Sequence, residues 1–183
     1  MKLAVIIAST RPGRMGPGVA KWFEEVAQEY GKFDVDMIDL AEVDLPMFDE
    51  PQPPMFDKYE QAHTKEWAAR IAKANAFVIV TPEYNFFAPP ALVNAADFLH
   101  KEWKYKPVAF VGYGGVGAAR AIESEKQLFS SLHMVPLHDA VNFTGTYAAA
   151  QFAPTDAHKE KAFIMLNELH KWATATESLQ YKA

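Results

Sequence analysis

The run Ala76-Phe77-Val78-Ile79-Val80 carries no polar residue at either phase of a strand's two-residue period. A strand with one wet face must alternate. An unbroken apolar run of this length is therefore read as a strand buried on both faces, as in a parallel sheet covered by helices. Short runs at residues 2–8, 33–39, 107–112 and 134–138 also lack clean alternation, and with 76–81 they make five predicted strands. Between them the period changes. Val19, Trp22, Phe23 and Val26 share one helical face, with Lys21, Glu24 and Glu25 outside it. Further helices are predicted over 63–74, 90–100, 117–132 and 156–176, the last with Ala162, Leu166, Leu169 and Ala173 inward and Met165 and Trp172 widening its apolar stripe. Alternating strands and helices with right-handed crossovers predict an α/β doubly wound sheet. At 183 residues the chain reads as one domain, 1–183, large enough to cover a sheet on both sides.

One segment fits neither period. Residues 42–58 hold Pro46, Pro51, Pro53 and Pro54 and five acidic residues, together with Met47, Phe48, Met55 and Phe56. Long loops in compact domains are usually functional or contact a partner, and four large apolar side chains suit an interface better than a solvated excursion.

Charge and composition remove several function classes. The net charge of −5 offers no general attraction to nucleic acid or an anionic membrane, so bound phosphate must meet a local cluster of donors. Without cysteine there is no disulfide, thiolate metal site or thiol redox chemistry, and redox activity would require a bound cofactor. The amino-terminal run Leu3 to Ala8 is too short for a signal-peptide core and ends in Ser-Thr-Arg-Pro. No stretch approaches the roughly 18 apolar residues of a membrane span. A cytoplasmic location is expected.

Three loops follow strands at their carboxyl ends, where open α/β sheets bind ligands. The first, Ser9 to Gly16, opens a helix whose amino-terminal N–H groups favour an anion, and Ser9, Thr10, Arg11 and Arg14 add hydroxyl and guanidinium donors. In the second, Pro82 holds Thr81 extended, so that Glu83, Tyr84 and Asn85 project beyond the strand with N–H groups and an amide for a planar ring's polar edge. The third, Gly112-Tyr113-Gly114-Gly115-Val116-Gly117, lets a ring approach bare backbone. A flavin mononucleotide (FMN) has parts for all three.

Position 19 is valine where a P-loop counted from Gly13 needs lysine. Gly112, Gly114 and Gly117 also spell GxGxxG, with Asp139 standing 22 residues beyond, close to a dinucleotide fingerprint; this leaves an NAD-binding dehydrogenase open. The six histidines show no metal-ligand spacing, so no metal is expected, and no GxSxG nucleophile elbow is present.

Taken together, Ala8-Ser9-Thr10-Arg11-Pro12-Gly13-Arg14, Thr81-Pro82-Glu83-Tyr84-Asn85 and Gly114-Gly115-Val116-Gly117-Ala118-Ala119-Arg120-Ala121 make the chain resemble the NAD(P)H-dependent FMN reductases. That family includes chromate, quinone and azo reductases, and the resemblance runs from Lys2 through the last helix. It implies a flavodoxin-like three-layer sandwich with a five-stranded parallel sheet in order 2-1-3-4-5. It implies non-covalent FMN near a subunit interface of a homodimer or homotetramer, with segment 42–58 meeting the partner. Two-electron ping-pong hydride transfer would run from NAD(P)H to flavin, quinone or a similar small acceptor. Carried onto this chain, Ser9, Arg11 and Arg14 would hold phosphate, with Met15 and Gly16 beside them. Pro82, Glu83, Tyr84, Asn85 and Phe86 would border the flavin, with Tyr84 a candidate for ring stacking, and Gly114, Gly115 and Val116 would pack beside the ring. The chain departs from the family pattern at Ala8 for glycine, at Val93 for a frequent lysine, and at Phe86 and Phe87, where a small or polar pair is usual. A flavodoxin-type electron carrier shares fold and cofactor, but would have a phosphate loop without arginine and a more acidic surface.

Overall fold

The structure, a computed structural model, describes residues 1–181. Five strands run β1 (Lys2–Ile7), β2 (Asp34–Asp39), β3 (Ala76–Pro82), β4 (Pro107–Gly114) and β5 (Val135–Thr144), all parallel, in the order β2-β1-β3-β4-β5. Among the described residues six α-helices accompany them: α1 (Gly16–Tyr30), α2 (Leu40–Val43), α3 (Ala62–Ala72), α4 (Pro90–Asp97), α5 (Ala119–Ser131) and α6 (Asp156–Thr176). This is the flavodoxin-like sandwich expected from the sequence.

The missing alternation has a direct cause. Successive residues of a central strand enter two different cores. Leu3, Val5, Val78, Val80 and Val111 pack with Phe23 of α1 and Leu166 of α6, whereas Ala4, Ile6, Phe77, Ile79 and Phe110 pack with Trp67 of α3, Leu92 of α4 and Phe129 of α5. Neither face reaches water, so neither needs polar residues.

Two differences from the predicted elements bear on the site. The fifth strand does not stop at 138. Its pairing with β4 shifts from Val108↔Pro136 to Phe110↔Ala140, so Leu137, His138 and Asp139 bulge opposite Ala109 before regular pairing resumes through Thr144. The bulge turns His138 and Asp139 to solvent. The other difference lies in 42–58. Asp39 accepts a bond from the Ala41 N–H at 3.0 Å and starts α2, and a single 3-10 turn covers Pro54–Phe56. The segment is pinned: the Asn94 amide donates to the Pro46 carbonyl at 2.7 Å and its oxygen accepts the Phe48 N–H at 2.9 Å. Glu50 accepts the N–H groups of Glu60 and Gln61 at 2.8 and 3.0 Å. Met47, Met55 and Phe56 nevertheless stay largely exposed. Among the described residues, no helix is long and apolar enough to cross a membrane.

Candidate functional site

All three loops meet at the carboxyl edge of the sheet around a cavity of about 210 Å³. The first contributes Arg11, Arg14 and Met15; the second Pro82, Glu83 and Tyr84; the third Tyr113, Gly114 and Gly115. A fourth segment, Thr146 and Tyr147, closes one side. The sequence pattern does not disclose this segment, because the bulge at 137–139 interrupts the strand before it continues into this edge.

Within the first loop, the two arginines have different surroundings. The Arg11 side chain is exposed, its one hydrogen-bond partner among the described residues being the neighbouring Pro12 carbonyl at 3.4 Å. Arg14 is drawn inward: its Nη1 and Nη2 donate to Oδ1 and Oδ2 of Asp39, both at 2.6 Å, and Nη1 also reaches the Ser9 carbonyl at 2.6 Å. These bonds hold the Arg14 guanidinium above its ordinary pKa against the opposing effect of burial. Ser9 is fully buried and its Oγ accepts the Tyr113 hydroxyl at 3.0 Å. Burial pushes the Tyr113 phenol up to about 12, so it stays a donor. Gly16 is where α1 approaches this pair; a Cβ there would lie 2.6 Å from Ser9 Oγ and 2.9 Å from Ile7 Cγ2.

The second loop is a tight hairpin. Tyr84 and Phe87 exchange backbone bonds at 3.1 and 3.0 Å, and the two residues between them, Asn85 and Phe86, have φ of 51° and 71°. Asparagine tolerates that region, whereas a phenylalanine there is strained. The Phe86 ring is held under the Arg120 guanidinium, whose carbon lies 3.7 Å from the ring centroid. Arg120 in turn pairs with Glu83 through Nε at 2.7 Å and through Nη2. Glu83 also accepts the N–H groups of Arg120 and Ala121 at 3.0 and 3.4 Å, so its side chain caps α5. Burial alone would raise the Glu83 carboxyl, but these bonds outweigh it and hold it below the usual range.

In the third loop, Gly112 and Gly117 serve the loop's own packing. A Cβ on Gly112 would lie 2.2 Å from the Gly117 carbonyl, and one on Gly117 would lie 2.8 Å from Asn142 Cβ. The Asn142 amide donates to that carbonyl at 2.8 Å. Gly114, at φ 130°, faces open space, while Gly115 lies under the Tyr147 hydroxyl. Val116 is exposed at the rim. The dinucleotide alternative fails on this geometry: Asp139 sits in the bulge, five residues short of Thr144, on the order of 15 Å from the edge where a ribose would bind.

A second, larger cavity of about 750 Å³ adjoins the first, sharing Arg11 and Tyr84. It is walled mainly by Met47, Phe48, Phe87, Ala88, Pro90 and Val93. Among the described residues, no group of three or more histidine or acidic side chains is arranged to hold a metal.

Residues 1–148 match the family described as NADPH-dependent FMN reductase. The chain belongs to this family. It is 41% identical over 135 residues to an NAD(P)H-dependent FMN reductase of Schizosaccharomyces pombe, covering 73% of this chain and 68% of that one. It is 30% identical over 128 residues to a 2-hydroxy-1,4-benzoquinone reductase of Burkholderia sp, covering 66% of each. Among solved structures, the flavoenzyme NAD(P)H:(acceptor) oxidoreductase FerB of Paracoccus denitrificans superposes with a TM-score of 0.75 at 22% identity, over 96% of this chain and 98% of that one. For a family named after FMN, the residues present suit that group. The backbone N–H groups of Thr10, Arg11 and Gly13 meet no acceptor among the described residues, and the first turn of α1 carries no acidic side chain to repel phosphate. The 210 Å³ cavity is below the roughly 300 Å³ of a whole-ligand cleft and matches part of one.

Proposed function

We propose that this chain is an NAD(P)H-dependent oxidoreductase that holds FMN non-covalently across the three loops and delivers reducing equivalents to a small planar acceptor of the quinone type. The observation that carries the reading is the single cavity bordered by the phosphate-type loop, the Pro82–Tyr84 loop and the Gly114–Gly115 backbone. Family membership and the quinone reductase named among the relatives support the same chemistry.

When bound, FMN supplies a ring that takes hydride from a nicotinamide and gives it up to a second substrate. The protein's part is to bind, orient and balance charge. The Thr10, Arg11 and Gly13 N–H groups and the Arg11 side chain would take the phosphate, and Arg14, through Asp39 and the Ser9 carbonyl, would keep that loop in shape. Gly114, without a side chain, would let a flat ring lie against backbone, with Tyr147 beside it and Tyr84 and Asn85 at its polar edge. Loop N–H groups directed at that edge would stabilise negative charge on it. The 750 Å³ cavity next to Tyr84 gives both substrates one place to lie, so they would visit in turn. Its Met47, Phe48, Phe87 and Val93 walls favour an apolar, flat acceptor over a strongly anionic one.

The exposed Met47, Met55, Phe56, Phe86 and Phe87, clustered on segment 42–58 and the second loop, support a homodimer or homotetramer, which sedimentation measures directly. A cytoplasmic location agrees with the absence of cysteine and with use of NAD(P)H. The functional test is anaerobic addition of NADPH or NADH to protein loaded with FMN. Complete bleaching of the visible flavin band, reversed by a benzoquinone, is the expected result. A stabilised one-electron radical without NAD(P)H oxidation would indicate a flavodoxin-type carrier instead, and protein that takes up no FMN would overturn the flavin reading.

A further inference from the structure

Glu125 occupies an apolar position. Ala121, Ile122, Glu125 and Phe129 form the buried stripe of α5, and Glu125 is fully buried there. Its Oε1 lies 2.5 Å from Thr81 Oγ1, and its Oε2 meets no donor among the described residues. Thr81 is the penultimate residue of the wholly buried β3, and its Oγ1 also lies 3.0 Å from the carbonyl of Pro82, from which the second loop leaves the strand. A threonine hydroxyl has one hydrogen, and it cannot be donated both to Glu125 and to Pro82. A neutral carboxylic acid resolves the conflict by donating to Thr81 Oγ1, which leaves the threonine hydrogen for the Pro82 carbonyl.

We infer that Glu125 is a positioning residue which, as a neutral acid, acts through Thr81 to fix the Pro82–Glu83 peptide and thereby the path of the second loop where it borders the cofactor cavity. The peptide is planar, so anchoring its carbonyl also orients the Glu83 N–H on the opposite side, toward β4 where Pro82 pairs with Tyr113, and sets the direction in which the loop leaves the sheet. The inference rests on the flavin reading proposed above. Two further ties hang the same loop from α5, namely Glu83 on the Arg120 and Ala121 N–H groups and Ser124 Oγ accepting the Ala88 N–H at 3.2 Å. Burial pushes the Glu125 carboxyl up to about 8 despite the opposing Thr81 bond, and no charged neighbour among the described residues acts on it. On its own helix Glu123 pairs with Lys126, Glu83 of the second loop pairs with Arg120, and Asp97 of α4 is exposed. On this face β3 and β4 present only Thr81 and apolar side chains such as Phe77, Ile79 and Phe110.

Ionisation would place an anion with no donor for Oε2 and force Thr81 to turn its hydrogen away from Pro82. FMN affinity is therefore expected to fall about tenfold as pH rises through about 8. The test is a fluorescence-quenching titration with FMN between pH 6 and 10 on wild type, E125Q, T81S and T81V. Titration of the flavin itself is common to all four and cancels in comparison. E125Q is permanently neutral and should lose the alkaline fall while binding well at pH 7; T81S should behave as wild type, and T81V should bind weakly at every pH. An alkaline fall in E125Q equal to that of wild type, or T81V binding as wild type does, would overturn the inference alone. Wild type that takes up no FMN at any pH would overturn the flavin reading, and this inference with it.

Discussion

Replacing Asp39 by asparagine separates two roles for Arg14. If the guanidinium contacts phosphate directly, removing a carboxylate 2.6 Å from it frees donors and deletes a repelling charge, and FMN should bind more tightly. If Arg14 instead holds the loop, binding should weaken. The side chains are 18% and 11% exposed, so the pair is partly screened. Asparagine keeps one acceptor and also keeps the cap on the Ala41 N–H, so the loss is one charge-assisted bond and the ionic attraction. A charged hydrogen bond contributes about 1.5–3 kcal/mol, and screening brings the expected loss to about 1.5 kcal/mol. Should all of it fall on loop order, the apparent FMN affinity drops about tenfold. Fluorescence titration gives the affinity and urea unfolding gives the stability. R14Q should resemble D39N, and the double variant should cost little more than either, a coupling of at least about 1 kcal/mol. Tighter FMN binding in D39N alongside weaker binding in R14Q would refute the positioning role.

Three further outcomes are expected. Gly16→Ala brings a Cβ to 3.1 Å from the Tyr113 hydroxyl as well as onto Ser9 and Ile7, and should cost about 2–4 kcal/mol in urea unfolding through overpacking and a lost buried hydrogen bond. Arg120→Ala removes the stack on Phe86 and the side-chain partner of Glu83, costing about 1 kcal/mol at neutral pH after screening. Because Glu83 is depressed in the fold, its contribution is present above the ordinary carboxyl range and is lost as pH falls through its folded value, so the gap between the melting temperatures of wild type and this variant should narrow as pH falls below the ordinary carboxyl range, leaving the part due to the Phe86 stack. Tyr147→Ala opens one wall of the small cavity from an exposed position, and should weaken FMN binding about tenfold with a melting temperature within about 1 °C of wild type.

What the sequence disclosed follows from how local each signal is. β1, β3 and β4 were legible because residues feeding two cores leave no polar position, a property written within six to eight consecutive residues. α6 was bounded correctly from its own period. β5 was cut short because its bulge exposes His138 and Asp139, which read as the end of a strand, and Thr146 and Tyr147 were missed with it. The pairing of Arg14 with Asp39 spans 25 residues and that of Glu83 with Arg120 spans 37, so neither leaves a local pattern. The loops were placed by their position after strands, but which of their side chains face the cavity depends on these distant partners. Glu125 left one clue, an acidic residue at spacing i+3 from Ile122 and i−4 from Phe129 on an apolar face.

A crystal structure of the protein soaked with FMN bears most directly on the central claim. The ring is expected in the small cavity, between Tyr84, Gly114, Gly115 and Tyr147, with the phosphate on the N–H groups of Thr10, Arg11 and Gly13 and one ring face open to the Met47–Phe87 cavity. FMN bound elsewhere, or a phosphate seated on the Gly112–Gly117 turn with the first loop empty, would contradict it.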